Sequence, residues 1–474
     1  MPPAGKSVLW SLALFFGWLL SFPLHGPLLG ALAAGPGEFN RLSLVFVLSH
    51  AFGLLSAGFL LPKHAWRLAM QAGASVSLAL SLVFPFAPAP LRDIGLVALG
   101  LSSAIFVIGW SQPYTVEVRT GRTGFMAVLI LVSNLILYGL VLLSGRVPAA
   151  LLWGAADLSL AGALWCTHRL LAEFAEAPVP APPPRLPVGL MAPVGLLIFG
   201  LCLNGGFLYT VVLPHFASFA ALDRVFGLLP YLAGVAALGW LRPGMSRQSL
   251  IYLGVCLMGL GFVAFAAMGH SLPVYLLTDT LILASFALVD VFLWSLLGEI
   301  AEVYGRPHLV FGFGLSLNVL GLFVGGVLGE RASLAGLSPT ASTGLLAAAT
   351  LFAVLLLAPT TLDRMERDLA GRIRTAQEAS VREGSDPPER SLARWLPGAD
   401  LLTYREQEIV DLIVGGCDNP GIAARLHISE NTVKVHIKNL NRKLGISSKH
   451  ELLAILLQVY AGSREAAATS IPEA

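Results

Sequence analysis

Apolar residues run along most of this chain in long unbroken blocks. Twelve blocks, near 8–33, 42–61, 68–87, 92–112, 123–143, 149–168, 188–213, 220–241, 249–270, 272–297, 308–328 and 341–361, have about the length that crosses a hydrocarbon core. Each predicts a helix, because a lone segment in lipid has to satisfy its own backbone N–H and C=O groups. The pattern changes after residue 361. Leu362, Met365, Leu369 and Ile373 recur at helical spacing among charges, which predicts an amphipathic continuation of the last span. The stretch GSDPPER at 384–390 then reads as a flexible break.

Short amphipathic helices replace the spans from residue 403 onward. Thr403 with Glu406 forms a capping box for a first helix whose apolar stripe includes Ile409, Leu412 and Ile413, and Gly415-Gly416 ends it. Asn419 is placed to cap a second, with Pro420 at its first position and Ile422, Ala423 and Leu426 facing inward. Ser429 caps a third that Gly445 closes, and a fourth runs from about Ser448 to Tyr460. On a helical wheel Val433, Ile437, Leu440 and Leu444 share one side of the third helix. Asn431, Val435, Lys438 and Arg442 share the opposite side, flanked by Lys434 and Asn439. Residues 430–444 carry four basic groups against one acidic. Two short helices joined tightly, the later one basic, make the helix-turn-helix pattern, and such a face suits the major groove of DNA. A merely solvated basic face is the competing reading of the stripe alone.

Composition divides the chain in the same place. Of 474 residues 56% are apolar and 12% charged, with a mean hydropathy of +0.76, against about 25% charged in a soluble domain. Residues 1–361 hold 15 Lys and Arg and 12 Asp and Glu, whereas residues 362–474 hold 15 and 16 in under a third of that length. The expected domains are a polytopic membrane part, 1–361; a charged amphipathic and flexible linker, 362–398; a helix-turn-helix domain, 399–461; and a disordered tail, 462–474. An even span count puts both termini on one side. Loops on that side hold ten basic residues (Lys6, Lys63, Arg67, Arg119, Arg122, Arg169, Arg185, Arg242, Arg247 and Arg306) and the other loops five (Arg41, Arg92, Arg146, Arg224 and Arg331). The richer side is expected to be cytoplasmic, which predicts a bacterial inner-membrane protein with both termini inside. Lys6 before an apolar run resembles a signal peptide, but with so many spans behind it an uncleaved first helix is the expectation. Cys166, Cys202, Cys256 and Cys417 are scattered, without disulfide, redox or metal spacing.

The proline-rich segment APVPAPPPRLP at 177–187 splits the membrane part into halves of six spans, about 7–170 and 188–361. The halves echo each other. Trp110-Ser111 followed by Gly121-Arg122 matches Trp294-Ser295 followed by Gly305-Arg306, and Gly58-Phe-Leu60-Leu-Pro62 matches Gly239-Trp-Leu241-Arg-Pro243. With these features the membrane part resembles the major facilitator superfamily over roughly residues 7–361. The resemblance implies an all-α bundle of two six-helix halves joined by a cytoplasmic loop. The family's loop motif, G-x-L-x-D-R-x-G-R, is represented by Gly58, Leu60, Lys63 and Arg67. Pro62 stands in place of its aspartate and Ala65 of its glycine. That aspartate belongs to the charge network gating the cytoplasmic side, so the departure bears on transport rather than on fold.

Polar groups within the spans are His25, His50, Asn134, Asp157, Asn204, Asp223, Arg224, Asp279, Asp290 and Asn318. Such groups face a bundle interior or a watery cavity; they either glue helices together or line a ligand site. Asp279 and Asp290 lie on one face of the tenth span, roughly 16 Å apart along it. His25, Asn204, Asp279 and Asp290 are the candidate ligand and cavity residues. Gly321, Gly325 and Gly329 predict close helix packing.

The segments L-T-x-R-E-x-E, I-A-x-x-L-x-I-S-x-N-T-V-K-x-H and K-L-G-I between residues 402 and 446 resemble the LuxR/FixJ-type effector domain. The resemblance implies a four-helix domain whose third helix enters the major groove and whose fourth commonly mediates dimerisation. By position it implies that Lys434, Val435 and Lys438 meet bases or nearby phosphates, and that Thr432 and Lys443 touch the DNA backbone. With the wheel, the candidate DNA-binding set is Asn431, Thr432, Lys434, Val435, Lys438, Arg442 and Lys443. Gly421 stands where the family usually has a glutamate before the I-A pair. In that family a phosphoacceptor or autoinducer-binding domain usually comes first; here the membrane bundle does, so the input is expected through the membrane.

The leading expectation is a membrane-integrated one-component transcription regulator. Its partners would be double-stranded promoter DNA, RNA polymerase, an unknown small-molecule ligand, a second copy on DNA and the lipid bilayer. The alternative is a transporter of the major facilitator type with a coupled regulatory tail; a third reading, a tail for protein interaction, fits Lys434, Lys438 and Arg442 poorly. With no phosphate-binding loop, nucleophile elbow or paired-histidine metal motif, neither an enzyme nor a cofactor or metal is expected.

Overall fold

A computed structural model of the chain describes residues 3–24, 26–118, 121–174, 188–240, 247–334, 338–382, 392–446, 449, 451–453, 455 and 456. His25, the proline-rich segment 177–187, GSDPPER at 384–390 and the tail 462–474 lie outside them. Among the described residues all named elements are helical. The first half holds α1 (Pro3–Ser21), α2 (Pro27–Leu32), α3 (Pro36–Leu60), α4 (Trp66–Val83), α5 (Ala89–Glu117), α6 (Arg122–Leu143) and α7 (Ala149–Glu173). The second holds α8 (Val188–Phe207), α9 (Leu213–His215), α10 (Ala220–Phe226), α11 (Leu229–Trp240), α12 (Arg247–Ala267), α13 (Leu272–Tyr304), α14 (Pro307–Leu334) and α15 (Pro339–Arg382). The C-terminal helices are α16 (Tyr404–Val414), α17 (Asn419–Leu426) and α18 (Glu430–Leu444), and the described residues from Glu451 to Leu456 are also helical.

Among the described residues eleven helical stretches are long and apolar enough to cross a membrane, and Gly5–Ser21 is a shorter apolar helix. The spans differ from expectation where backbone chemistry interrupts them. The first, expected over 8–33, breaks between α1 and α2, because Pro27 opens a new helix after the extended Gly26. The eighth divides into α10 and α11. The seventh carries a π-turn over Leu208–Val212 before α9. The tenth, expected to end near 297, continues as α13 until the left-handed Gly305 stops it. The last membrane helix continues as α15 to Arg382; the side chains of its predicted stripe, Leu362, Met365, Leu369 and Ile373, lie outside the described part.

The chain forms two compact units, one of residues 1–118, 122–240 and 250–358 and one of residues 119–121, 241–249 and 359–474. In the first unit, glycines let helices meet backbone to backbone, the packing expected of small residues in lipid. A Cβ at Gly325 would fall 1.9 Å from Leu203 O, and one at Gly321 2.7 Å from Phe199 O, so α14 rests directly on α8. Gly58 of α3 and Gly312 of α14 make a similar crossing between the halves, where added Cβ atoms would lie 2.8 and 2.6 Å from the opposing Cα. At that end His308 Nδ1 stands 3.3 Å from Leu61 O, and Arg122 of α6 pairs with Glu302 of α13, both side chains 1% exposed. The internal echo is geometric as well. Trp110 meets Trp294 edge to face at 6.1 Å, and Gly121 and Gly305 both take left-handed φ angles, +67° and +57°. Several polar groups act as glue: Trp18 Nε1 donates to Ser81 Oγ at 3.0 Å and Ser81 donates to Asp157 at 2.5 Å, joining α1, α4 and α7.

Candidate functional site

The C-terminal unit presents α18. Ser429 caps it, its Oγ accepting from Thr432 N at 3.1 Å, and Gly445 closes it with a φ of +68°. Val433 and Leu440 are buried against the rest of the unit, with Ile437 and Leu444 half-buried. Asn431, Lys434, Val435, Lys438 and Arg442 are exposed, as the wheel requires. Among the described residues neither Lys434 nor Lys438 has a hydrogen bond or ion pair, so both ammonium groups stand in water. Arg442 reaches only Asn439 Oδ1, at 3.2 Å. The helix before it starts one residue earlier than expected: Asp418, not Asn419, caps α17, its Oδ1 accepting from Gly421 N at 2.9 Å. An aspartate carboxylate is a charged acceptor at a helix N-terminus, which favours it over the amide next door. His427 ends α17 with a left-handed φ of 51° and sets the tight turn into α18.

The membrane unit gathers a second polar group. Tyr231 Oη of α11 donates to Asp290 Oδ2 at 2.6 Å, and Tyr275 Oη of α13 donates to Asp223 Oδ1 of α10 at 2.8 Å. Asp279 lies between Tyr275 and Asp290 on α13, is 2% exposed, and has no hydrogen-bond partner for either oxygen among the described residues. Thr278 Oγ1 beside it is also buried without a partner. Tyr209, in the π-turn, lies within electrostatic reach of Asp223, Asp279 and Asp290; such turns are frequent at functional sites. Asn204 goes elsewhere: its Nδ2 donates to Gly200 O and its Oδ1 accepts from Thr350 Oγ1 at 3.2 Å, tying α8 to α15. His25 lies outside the described residues. Of the four candidate cavity residues, then, Asp279 and Asp290 share this group, in company with three tyrosines that carry no charge or spacing signal in the sequence.

Residues 400–456 match the bacterial regulatory proteins of the luxR family. The C-terminal domain is a LuxR-type regulatory domain. Its relatives include the response regulator protein TmoT of Ectopseudomonas mendocina, 34% identical over 90 residues, or 19% of this chain and 40% of that one. The nitrate/nitrite response regulator protein NarP of Escherichia coli is 45% identical over 58 residues, 12% of this chain and 27% of that one. This chain therefore spans under half the length of these curated relatives. The rest of the chain has other likenesses. A bacterial homologue of the iron transporter ferroportin, in an outward-facing state, superposes with a TM-score of 0.53 at 15% identity, covering 76% of this chain and 98% of that one. The fucose:proton symporter of E. coli does so with 0.53 at 15% identity, covering 76% and 97%. At that identity the likeness is one of fold, and the membrane domain has the major facilitator fold.

The LuxR-type domain holds two part-buried ion pairs that sequence reasoning missed. Lys443 Nζ, half-buried, is bound by Glu406 Oε2 at 2.7 Å, so its charge is paired within the domain. Arg405 pairs with Glu408 at 2.8 Å and donates to Leu426 O, satisfying a carbonyl at the C-terminus of α17. Glu406 is the centre of the first: its carboxylate also accepts from Thr403 N and Oγ1, completing the capping box. Burial disfavours its charged form, but the Lys443 ammonium and the Thr403 donors outweigh that and hold the carboxyl below the ordinary value of 4.5. Its contribution to stability is thus present above that value and is lost as pH falls through the lowered one. Glu406→Gln is expected to cost the domain about 1–3 kcal/mol at neutral pH. Thermal unfolding at several pH values checks this; the two proteins should converge in acid, and equal transitions at pH 7 would remove the role.

Proposed function

We propose that the chain is a membrane-integrated one-component transcription regulator. The major facilitator bundle senses a small molecule or a membrane state, and the LuxR-type domain binds double-stranded promoter DNA as a dimer, with RNA polymerase as the next partner. One observation carries this reading: α18 of a luxR-family domain offers Lys434 and Lys438, exposed and unengaged, in the same chain as the bundle. Charges of that kind sit on phosphates or base edges in such helices. Mapping the DNA occupied by the tagged full chain in cells tests it. Discrete promoter peaks are expected; uniform background would sink the reading.

The proposal requires an inner-membrane protein whose DNA-binding end faces the cytoplasm. Reporter fusions after Leu186 and after Ala474 are both expected to score cytoplasmic, in line with the ten-to-five bias of basic loop residues. A periplasmic score from either would break the topology.

A second reading, a transporter with a regulatory tail, is favoured by a different observation. Pro62 replaces the gating aspartate of the family's loop motif, yet Arg122–Glu302, His308–Leu61 O and the Gly58–Gly312 crossing still hold the halves together at that end. Substrate flux in vesicles that is independent of promoter occupancy would select this reading.

A further inference from the structure

We propose that the group around α13 binds a linear polyamine, a chain of protonated amines separated by methylene spacers. The proposal rests on the sensor reading above and names its ligand class.

Three carboxylates of the second half follow one another along α13: Asp223, held by Tyr275 near its start, then Asp279, then Asp290 near its middle. Asp279 and Asp290 are about 16 Å apart along the helix axis, too far for one small ion to meet both. No three acidic, His or Cys side chains among the described residues converge closely enough to hold a metal. Arg224, beside Asp223, lies over Gly145 on another turn. Asp223 and Asp290 each accept one tyrosine hydroxyl, while Asp279, nine-tenths buried and more, accepts from no donor among the described residues. A buried carboxylate without donors is costly in a low-dielectric interior. An ammonium supplies both the countercharge and the N–H donors it lacks.

The walls suit the spacers. Tyr275 stacks on Phe219 with centroids 5.6 Å apart and meets Phe226 edge-on at 6.3 Å, and Phe219 in turn stacks on His270 at 5.6 Å. Aromatic faces accept methylene groups and also attract cations. Rings thus flank the Asp223 end, where a methylene run of a polyamine would lie against them, and the carboxylates along α13 would take its ammonium groups.

The test uses the full chain in lipid nanodiscs, titrated calorimetrically with spermine, spermidine, putrescine and butylamine. Affinity should rise with the number of amines, and Asp279→Asn should weaken spermine by about tenfold or more, the scale of one charge-assisted contact. Asp290→Asn should weaken spermine more than putrescine, since only the longer ligand reaches it. Asp93→Asn, an exposed carboxylate paired with Arg41, should bind like the wild type. No spermine binding, equal affinity for spermine and butylamine, or unchanged binding by Asp279→Asn would overturn the proposal. Promoter occupancy with and without spermine is read in parallel. Spermine binding without a change in occupancy leaves the polyamine site standing and removes the sensor reading; a ligand-responsive promoter with no spermine binding does the reverse.

Discussion

Alanine at both Lys434 and Lys438 is expected to reduce specific promoter binding by the full chain to the level of unrelated DNA. Both ammonium groups are exposed on α18 and have no partner among the described residues, so removing them should leave the fold intact. A lysine on a phosphate contributes through counterion release, about 0.9 to the salt slope for each contact. A lysine reading a base edge contributes about 1–3 kcal/mol of discrimination instead. Lys438→Ala alone separates the two: a uniform loss with a shallower salt slope marks phosphate, whereas a loss confined to the cognate site marks a base. Lys443→Ala is the contrast, because its partner is Glu406. It should lower the unfolding temperature of the domain and leave the salt slope nearly unchanged. Fluorescence anisotropy of nanodisc-held protein at several salt concentrations makes the measurement. Unchanged affinity in the double variant would show that α18 does not present the DNA-reading face.

Arg122→Leu should be the most destabilising single change in the membrane domain, at about 3–5 kcal/mol. Arg122 and Glu302 are each almost fully buried, and the pair joins α6 of the first half to α13 of the second. Removing the guanidinium takes from the buried Glu302 carboxylate the cation it pairs with, in a low-dielectric interior. Taking both charges away is different, since a buried pair pays for its own desolvation and apolar replacements are often neutral. The double variant Arg122→Leu with Glu302→Leu is therefore expected to recover most of the loss. Thermal unfolding of the detergent-solubilised protein decides between them. A single variant as stable as the wild type would mean that the halves are held by glycine and aromatic packing alone.

Local pattern made much of this legible. The twelve apolar blocks, the amphipathic wheel of α18, the Thr403–Glu406 box and the close-packing glycines of α14 are all set by neighbours within a few residues. Local pattern also misled where two candidates were adjacent. Asn419 and Asp418 both suit a cap, and the charged one took the position. The break after α1 and the π-turn at Leu208–Val212 sit inside continuous apolar runs, where hydropathy is blind to backbone register.

By itself the sequence determined the class of each segment: lipid-spanning helices to about residue 361, then a helix-turn-helix domain with a basic outward face. Periodicity and apolar length suffice for that, because a helix places residues i, i+3 and i+4 together whatever else surrounds it. Tertiary structure decided which charges meet. Lys443 looked like one more cation on the reading helix, yet its partner Glu406 lies 37 residues away on another helix. Arg122 counted as a loop charge until packing buried it against Glu302. Asp279 was one polar residue among ten in the spans, and only the fold brought it within electrostatic reach of Asp223 and Tyr209, with no donor to its oxygens among the described residues. The strength of a charge depends on the dielectric around it and on the partner it finds, and both are properties of packing between segments distant in sequence.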